Sequence, residues 1–209
     1  HYMIRSYEDY RSYLEADRLA LGCRTTRPPL FGEEIWRFQI LLRKMEYYRN
    51  CRHSFIYRPS ISWTGWKFHA ASLLLGFTIP LNVFGPGLSI GHRGTIVIHP
   101  AVRIGANCRI HACVNIGTKA GAADLTPVIG DNVYIGPGAK IFGDIRIADG
   151  IAIGANSVVN RSFEEPGISI AGIPARKISD KGNLPQAGET ILTGAGAGSA
   201  PLSPDQGAG

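Results

Sequence analysis

Between residues 78 and 163 an aliphatic residue returns at every sixth position. Ile98, Ile104, Ile110 and Ile116 open successive steps, and after a break the count resumes at Ile129, Ile135, Ile141, Ile147, Ile153 and Val159. A small residue often follows the aliphatic one (Gly105, Gly117, Gly130, Gly136, Ala148, Gly154), and a small or β-branched residue often stands four places after it (Val102, Cys108, Val114, Val133, Ala139, Ser157). A period of six suits neither an amphipathic helix nor an alternating strand. It is the signature of a parallel β-helix, in which three steps make one turn of a triangular coil. The aliphatic side chain points into the prism and stacks on its copies about 4.8 Å away, while small residues let the backbone turn the corners.

Ahead of the repeat the pattern is helical. Ser6-Tyr-Glu-Asp9 resembles a capping box, with Asp in place of the usual Glu or Gln, and predicts a helix to about Leu21, ended by Gly22. Residues 24–30, with Pro28-Pro29, form a connector. Residues 31–51 carry Ile35, Phe38, Leu41, Leu42 and Met45 as a helical stripe, broadened by Trp36, Tyr47 and Tyr48. A third helix is predicted over residues 65–75. These helices are expected to pack on the first coils and cover their strand edges. The repeat itself is interrupted twice: by two extra residues between Ile90 and Ile98, and by a loop over residues 119–127. In repeat scaffolds such insertions often lie on the functional face. Residues 167–178 read as a terminal extended segment, and the Gly, Ala, Ser and Pro beyond it have little to bury and predict disorder. The expected organisation is a helical region over residues 3–77, a β-helix over 78–178 and a tail over 179–209. The expected fold class is mainly β.

Composition narrows the setting. The 209 residues suit one principal domain with an appended piece. No run reaches the 18 or so apolar residues of a membrane span, and the longest candidate, residues 70–83, is broken by Gly76, Pro80 and Asn82. The start is charged and aromatic, unlike a signal peptide. Cys23, Cys51, Cys108 and Cys113 show neither paired nor zinc spacing, so reduced packing residues of a cytoplasmic protein are expected. The net charge of +6 sits mainly on the helical region, where Arg alternates with Glu, Asp and aromatics and forms no basic run. That argues against nucleic acid and for helix surfaces facing solvent or a partner. An acidic substrate or a membrane surface is the remaining reading, and membrane contact is not expected.

Several stretches resemble a known family: Ile90-Gly-His-Arg-Gly-Thr-Ile-Val-Ile98, Val114-Asn-Ile-Gly-Thr118, Pro127-Val-Ile-Gly-Asp-Asn-Val-Tyr-Ile-Gly-Pro-Gly-Ala-Lys-Ile-Phe-Gly-Asp-Ile145 and Ala171-Gly-Ile-Pro-Ala-Arg176. Over residues 78–178 the chain is similar to hexapeptide-repeat acyltransferases of the serine acetyltransferase type. The resemblance implies a left-handed β-helix, a homotrimer with active sites between subunits, and acetyl-coenzyme A as donor. His92 matches the family's catalytic histidine. An alcohol is a poor nucleophile at neutral pH, and a positioned imidazole takes its proton during attack on a thioester. By hexad phase His92 is third in its step and points outward.

The resemblance also places a coenzyme A groove along later coils, at Gly136, Pro137, Gly138, Ala139, Gly154, Ala155, Gly172, Pro174 and Ala175, with Arg176 and Lys177 as partners for the nucleotide phosphates. Lys119, Asp124 and His111 are the candidates for acceptor binding. A zinc site of the γ-carbonic-anhydrase type would need His92, His99 and His111 together, yet they lack that family's close pairing, so no metal is expected.

The departures from the family bear on the acceptor. Residues 77–82 hold no Asp or Glu to orient His92, Gly91 stands where the family has Asp, and Leu125-Thr126 replaces an Arg-His pair. The family uses those groups for an amino acid's ammonium and carboxylate. The expected function is therefore O-acetylation of a sugar or surface-polysaccharide precursor, with a backbone carbonyl orienting His92. Serine O-acetylation for cysteine biosynthesis is the alternative, and a non-catalytic trimeric scaffold is the alternative of another class.

Overall fold

The computed structural model describes residues 2–26, 28, 32–121 and 125–183, so Asp124 and the tail beyond residue 183 lie outside the described residues. Helix α1 (Tyr7–Ala20) opens on the expected capping box: the Ser6 hydroxyl accepts from the Asp9 N–H, and the Asp9 carboxylate accepts from the Ser6 N–H. Helix α2 (Glu34–Cys51) leads through a 3-10 turn (Phe55–Tyr57) into α3 (Arg58–Leu75). The third helix starts well ahead of residue 65. Pro59 sits in its first turn, where a missing N–H leaves no helical bond unmade. Gly76, at φ 77°, ends it in the left-handed conformation.

The chain then winds into coils. The first comprises β1 (Phe77–Thr78), a bridge at Phe84 and β2 (Ser89–Ile90). The second comprises β3 (Ile96–Ile98), β4 (Arg103–Ile104) and β5 (Arg109–Ile110). The third has β6 (Val114–Gly117), β7 (Val128–Ile129) and β8 (Tyr134–Ile135), with the long loop leaving between β6 and β7. The fourth has β9 (Lys140–Phe142), β10 (Arg146–Ile147) and β11 (Ala152–Ile153). The last has β12 (Val158–Val159), a bridge at Phe163 and β13 (Ser169–Gly172). Strands β1-β3-β6-β9-β12 stack as the first face, β4-β7-β10 as the second, and β2-β5-β8-β11-β13 as the third.

All of this stacking is parallel and in register. Ile98, Ile116 and Ile141 align on the first face, Ile104, Ile129 and Ile147 on the second. Ile90, Ile110, Ile135, Ile153 and Ile170 align on the third. None of these is more than 3% exposed, and each fully buried side chain contributes roughly 1.5–3 kcal/mol. The terminal segment does more than extend: β14 (Ala175–Ser179) turns back antiparallel on β13 and closes the third face.

The first coil has no earlier coil to bond its outer peptide groups. Side chains of α1 and α2 take that place. Arg43 is fully buried. It donates to the carbonyls of Phe84 (3.0 Å) and Gly85 (2.6 Å), to both Asp17 oxygens (2.8 and 3.1 Å) and to Glu46 (3.0 Å). Asp17 in turn accepts from the N–H groups of Gly87 and Leu88, and Glu46 from that of Asn82. Gln39 donates to the Leu88 carbonyl at 2.7 Å. Burial works against the guanidinium's charge, but Asp17 and Glu46 outweigh it and raise its pKa. The expectation that helical arginines face solvent or a partner fails at Arg43, because the coil edge offers backbone acceptors that only a long cation reaches. Arg43→Ala is expected to destabilise the fold by about 3–5 kcal/mol, since it strands two buried carboxylates. Chemical denaturation measures this, and an unchanged midpoint would show that the edge is satisfied some other way.

Candidate active site

His92 lies in the corner between the third and first faces, where the two extra residues widen the turn after β2. It is exposed. Gly94, at φ 134°, shapes the turn, and its N–H donates to the Leu75 carbonyl at the end of α3. The corner that holds His92 therefore rests on the helical region. The neighbour found against the His92 ring is His111, one coil on, with ring centroids 5.8 Å apart. His111 also meets Tyr134, at 5.1 Å. Its Nε2 is buried and has no hydrogen-bond partner among the described residues. Burial, then Arg109 and His92, hold the His111 pKa below the usual imidazole value, so the ring is neutral near pH 7.

Gly91 has a specific reason to be glycine. A Cβ there would come within 2.7 Å of the His111 ring. Where the resemblance leads one to expect aspartate, the glycine thus leaves room for the imidazole of the next coil.

The same corner carries the candidate coenzyme A residues. Backbone bonds run Gly91 to Ile110, His111 to Ile135, Gly136 to Ile153 and Gly154 to Ile170, so Gly91, His111, Gly136, Gly154 and Ala171 form one file down the prism. His92, Ala112, Pro137, Ala155 and Gly172 form the next. His92 heads this edge and Pro137, Ala155 and Gly172 continue it, over four coil steps of about 4.8 Å. The packing needs these small residues: a Cβ on Gly136 would meet the Gly154–Ala155 backbone at 2.8–2.9 Å, and one on Gly154 would meet the Ala171 side chain at 2.8 Å. Gly138 donates to the Ala112 carbonyl, whereas Ala139 is buried in the core. At the far end Ala175 is also buried, and Pro174 and Arg176 are exposed. Lys177 is engaged by carboxylates, at 2.6 Å from both Glu165 and Asp180.

Other candidates lie on a different edge. His99 stands at the corner between the first and second faces and accepts from the Ala101 N–H through Nδ1. Lys119 is exposed at the base of the long loop on that same edge. Within one chain, neither joins His92. A trough of about 500 Å³ on the first face lies between the two edges, lined by His99, Asn115, Thr118, Lys140 and Phe142 among others. Among the described residues no group of three His, Cys, Asp or Glu side chains is arranged to hold a metal ion.

The helical region contributes a part of the site that sequence reasoning missed. A pocket of about 290 Å³ places Gly91, His92 and Arg93 against Cys23, Glu33, Glu34 and Trp36 around the start of α2. Glu33 Oε2 and Trp36 Nε1 are buried without hydrogen-bond partners among the described residues. Backbone N–H groups of Glu34 and Gly32 hold the Glu34 carboxyl below the usual carboxylate range, and Arg93 and Arg37 add to the effect. Burial pushes the Cys23 thiol up, with Glu33 adding to the rise.

Comparison with known proteins agrees with this architecture. Residues 126–161 match the family model described as bacterial transferase hexapeptide (six repeats). The chain is 35% identical over 116 residues to a serine acetyltransferase of Synechococcus elongatus, covering 54% of this chain and 47% of that one. It is 40% identical over 100 residues to a serine acetyltransferase of Staphylococcus aureus (strain Mu50), covering 47% and 46%. The chain thus spans about half the length of the curated relatives it matches. A crystal structure of Neisseria gonorrhoeae serine acetyltransferase in complex with serine superposes with TM-score 0.63 at 26% identity, over 83% of this chain and 71% of that one. The fold is the left-handed parallel β-helix of hexapeptide-repeat proteins, with an N-terminal α-helical region.

The Gly91–His111 contact can be tested by stability. Gly91→Ala is expected to cost about 1–3 kcal/mol by overpacking against the ring, and His111→Ala in the same chain should recover most of it in a double-mutant cycle. Additive effects would show that the two do not meet. A second expectation follows from the depressed pKa of His111. The folded state resists its protonation, so its contribution is full above the ordinary value of 6.5 and is lost as pH falls from there through the lower folded-state value. Stability measured against pH should therefore decline on the acid side, and His111→Asn should flatten that decline.

Proposed function

We propose that this serine-acetyltransferase-like hexapeptide-repeat chain is an acetyl-coenzyme-A-dependent O-acetyltransferase with His92 as its general base. The observation that carries the reading is the single edge of the prism, with an exposed histidine at its head and stacked small residues leading away from it. The thioester arm would lie along Pro137, Ala155 and Gly172, with its carbonyl near His92. His92 takes the proton of the acceptor hydroxyl as the oxygen attacks that carbonyl. A new C–O bond forms, backbone N–H groups stabilise the tetrahedral oxyanion, and collapse breaks the C–S bond. The departing thiolate receives the proton back from the imidazolium. Arg176 remains the better candidate for a phosphate partner, since Lys177 already holds two carboxylates.

For the acceptor, the comparisons support serine, and the saccharide expected from the missing charged groups has no counterpart among the relatives named above. The pocket beside His92 offers charges that are missing at residues 77–82, 91 and 125–126. Glu33 and Glu34 suit an ammonium, and Arg93 suits a carboxylate. A neutral, hydroxyl-rich acceptor is the second reading, favoured by the uncharged His111 ring in the space beside Gly91. A homotrimer fits either reading. His92 and the base of the 119–127 loop lie on different edges of one chain, and a threefold assembly is the simplest way to bring them to one acceptor.

Release of free thiol from acetyl-coenzyme A, with serine and a panel of sugars offered separately, tests the reaction and names the acceptor class. His92→Ala is expected to slow transfer by about 10²–10⁴-fold with coenzyme A binding retained; an unchanged rate would remove His92 as the base. With serine, Glu33→Gln should raise KM more than it lowers kcat if that carboxylate holds the ammonium.

A further inference from the structure

Helix α3 packs on α2 through one side, where Phe68 stacks on Phe38 at 5.4 Å and Gly65 lies against Met45. Its opposite side has no cover among the described residues. Trp63, Trp66, Leu73 and Leu74 are 58%, 62%, 70% and 86% exposed, and Phe55 and Ile56 on the preceding turn are 77% and 63% exposed. At 100° per residue, positions 63, 66, 67, 70, 73 and 74 fall within one sector about 120° wide. The indoles of Trp63 and Trp66 stack at 5.3 Å, and the Lys67 ammonium sits 4.9 Å over the Trp63 ring. Soluble proteins rarely expose a contiguous apolar stripe of this kind without a use for it.

Charge selects the occupant. Between Glu46 and Asp124 the sequence holds no Asp or Glu, yet it holds Arg49, Arg52, Arg58, Lys67, Arg93, Arg103, Arg109 and Lys119. The 3-10 turn and α3 hold no carboxylate, and their charged side chains are Arg58 and Lys67. A second copy of the same face would bring cation against cation with no carboxylate to pair, which disfavours a twofold contact. An anionic lipid surface matches both components. Indoles partition to the polar–apolar boundary, and basic residues beside an apolar face hold a helix in the plane of the headgroups. No helix among the described residues is long and apolar enough to cross a membrane, so the helix would lie on the surface.

We infer that the outer face of the 3-10 turn and α3 docks on an anionic membrane surface, with Phe55, Ile56, Trp63, Trp66, Leu73 and Leu74 entering the headgroup region and Lys67, within the same sector, pairing with a lipid phosphate. This goes beyond acetyl transfer and does not rest on it. The test is sedimentation of the full chain with vesicles of phosphatidylcholine mixed with phosphatidylglycerol, against phosphatidylcholine alone. Binding to the anionic vesicles only, weakened by salt, is expected. Each cation within reach of the surface is worth about fivefold in partitioning, so Lys67→Glu, a change of two charges, should weaken it about thirtyfold. Trp63→Ser with Trp66→Ser should weaken it at least about tenfold. Both substitutions lie on an exposed face, and unchanged circular dichroism would show the fold intact. Absence of vesicle binding, equal binding to neutral vesicles or indifference to both variants would each overturn the inference. So would a variant that left vesicle binding intact and instead reduced the assembly's size in solution, which would assign the face to a second copy.

Discussion

A stack of parallel coils has two ends, and at each end a row of peptide groups faces nothing. That constraint explains more of this molecule than the repeat does. At the N-terminal end Arg43, Asp17, Glu46 and Gln39 supply the donors and acceptors that a preceding coil would have supplied. A buried charge cluster is ordinarily a poor source of stability. Here the ions bind one another and the coil edge at once, so few of their hydrogen-bonding positions are left over. At the other end β14 folds back antiparallel on β13 and covers part of the last edge. Two different solutions meet one requirement: side chains of a helical region at one end and a returning strand at the other.

What was legible in the sequence was what repeats. The inward isoleucines announce themselves by period, and the register they imply is the register found. The widened turn holding His92 was legible as a break in that count. Features that depend on meetings between distant segments were not. Arg43 looks like any other helical arginine until its partners, 26 residues back and 41–42 residues ahead, are in place. Glu33 and Trp36 sit at the start of a helix whose pattern speaks only of packing, and nothing local ties them to a histidine far along the chain. The early start of α3 was hidden by Pro59, which reads as a breaker and serves as a first-turn residue. The stripe on α3 was also missed, since Trp63, Trp66 and Leu74 resemble core residues until α2 is seen to occupy the other side.

The site joins the two halves of the molecule. Its histidine and the small-residue file belong to the prism, while Glu33 and Trp36 come from the helices and Gly94 fastens the turn to the end of α3. Helices that first serve to close an edge thus also wall the space where an acceptor would stand. Glu33 and Glu34 of this wall lie outside the repeat, so a residue-by-residue reading of the repeat alone underestimates what the pocket can hold.

The close approach of Gly91 and His111 also limits substitution. With the imidazole in place, no residue bearing a Cβ fits at position 91 without displacing it. A side chain at 91 and an imidazole at 111 therefore compete for one space, so what either position tolerates depends on the other. Neighbouring coils are thus coupled at this pair, as they are at Gly136 and Gly154, through the space one leaves for the other.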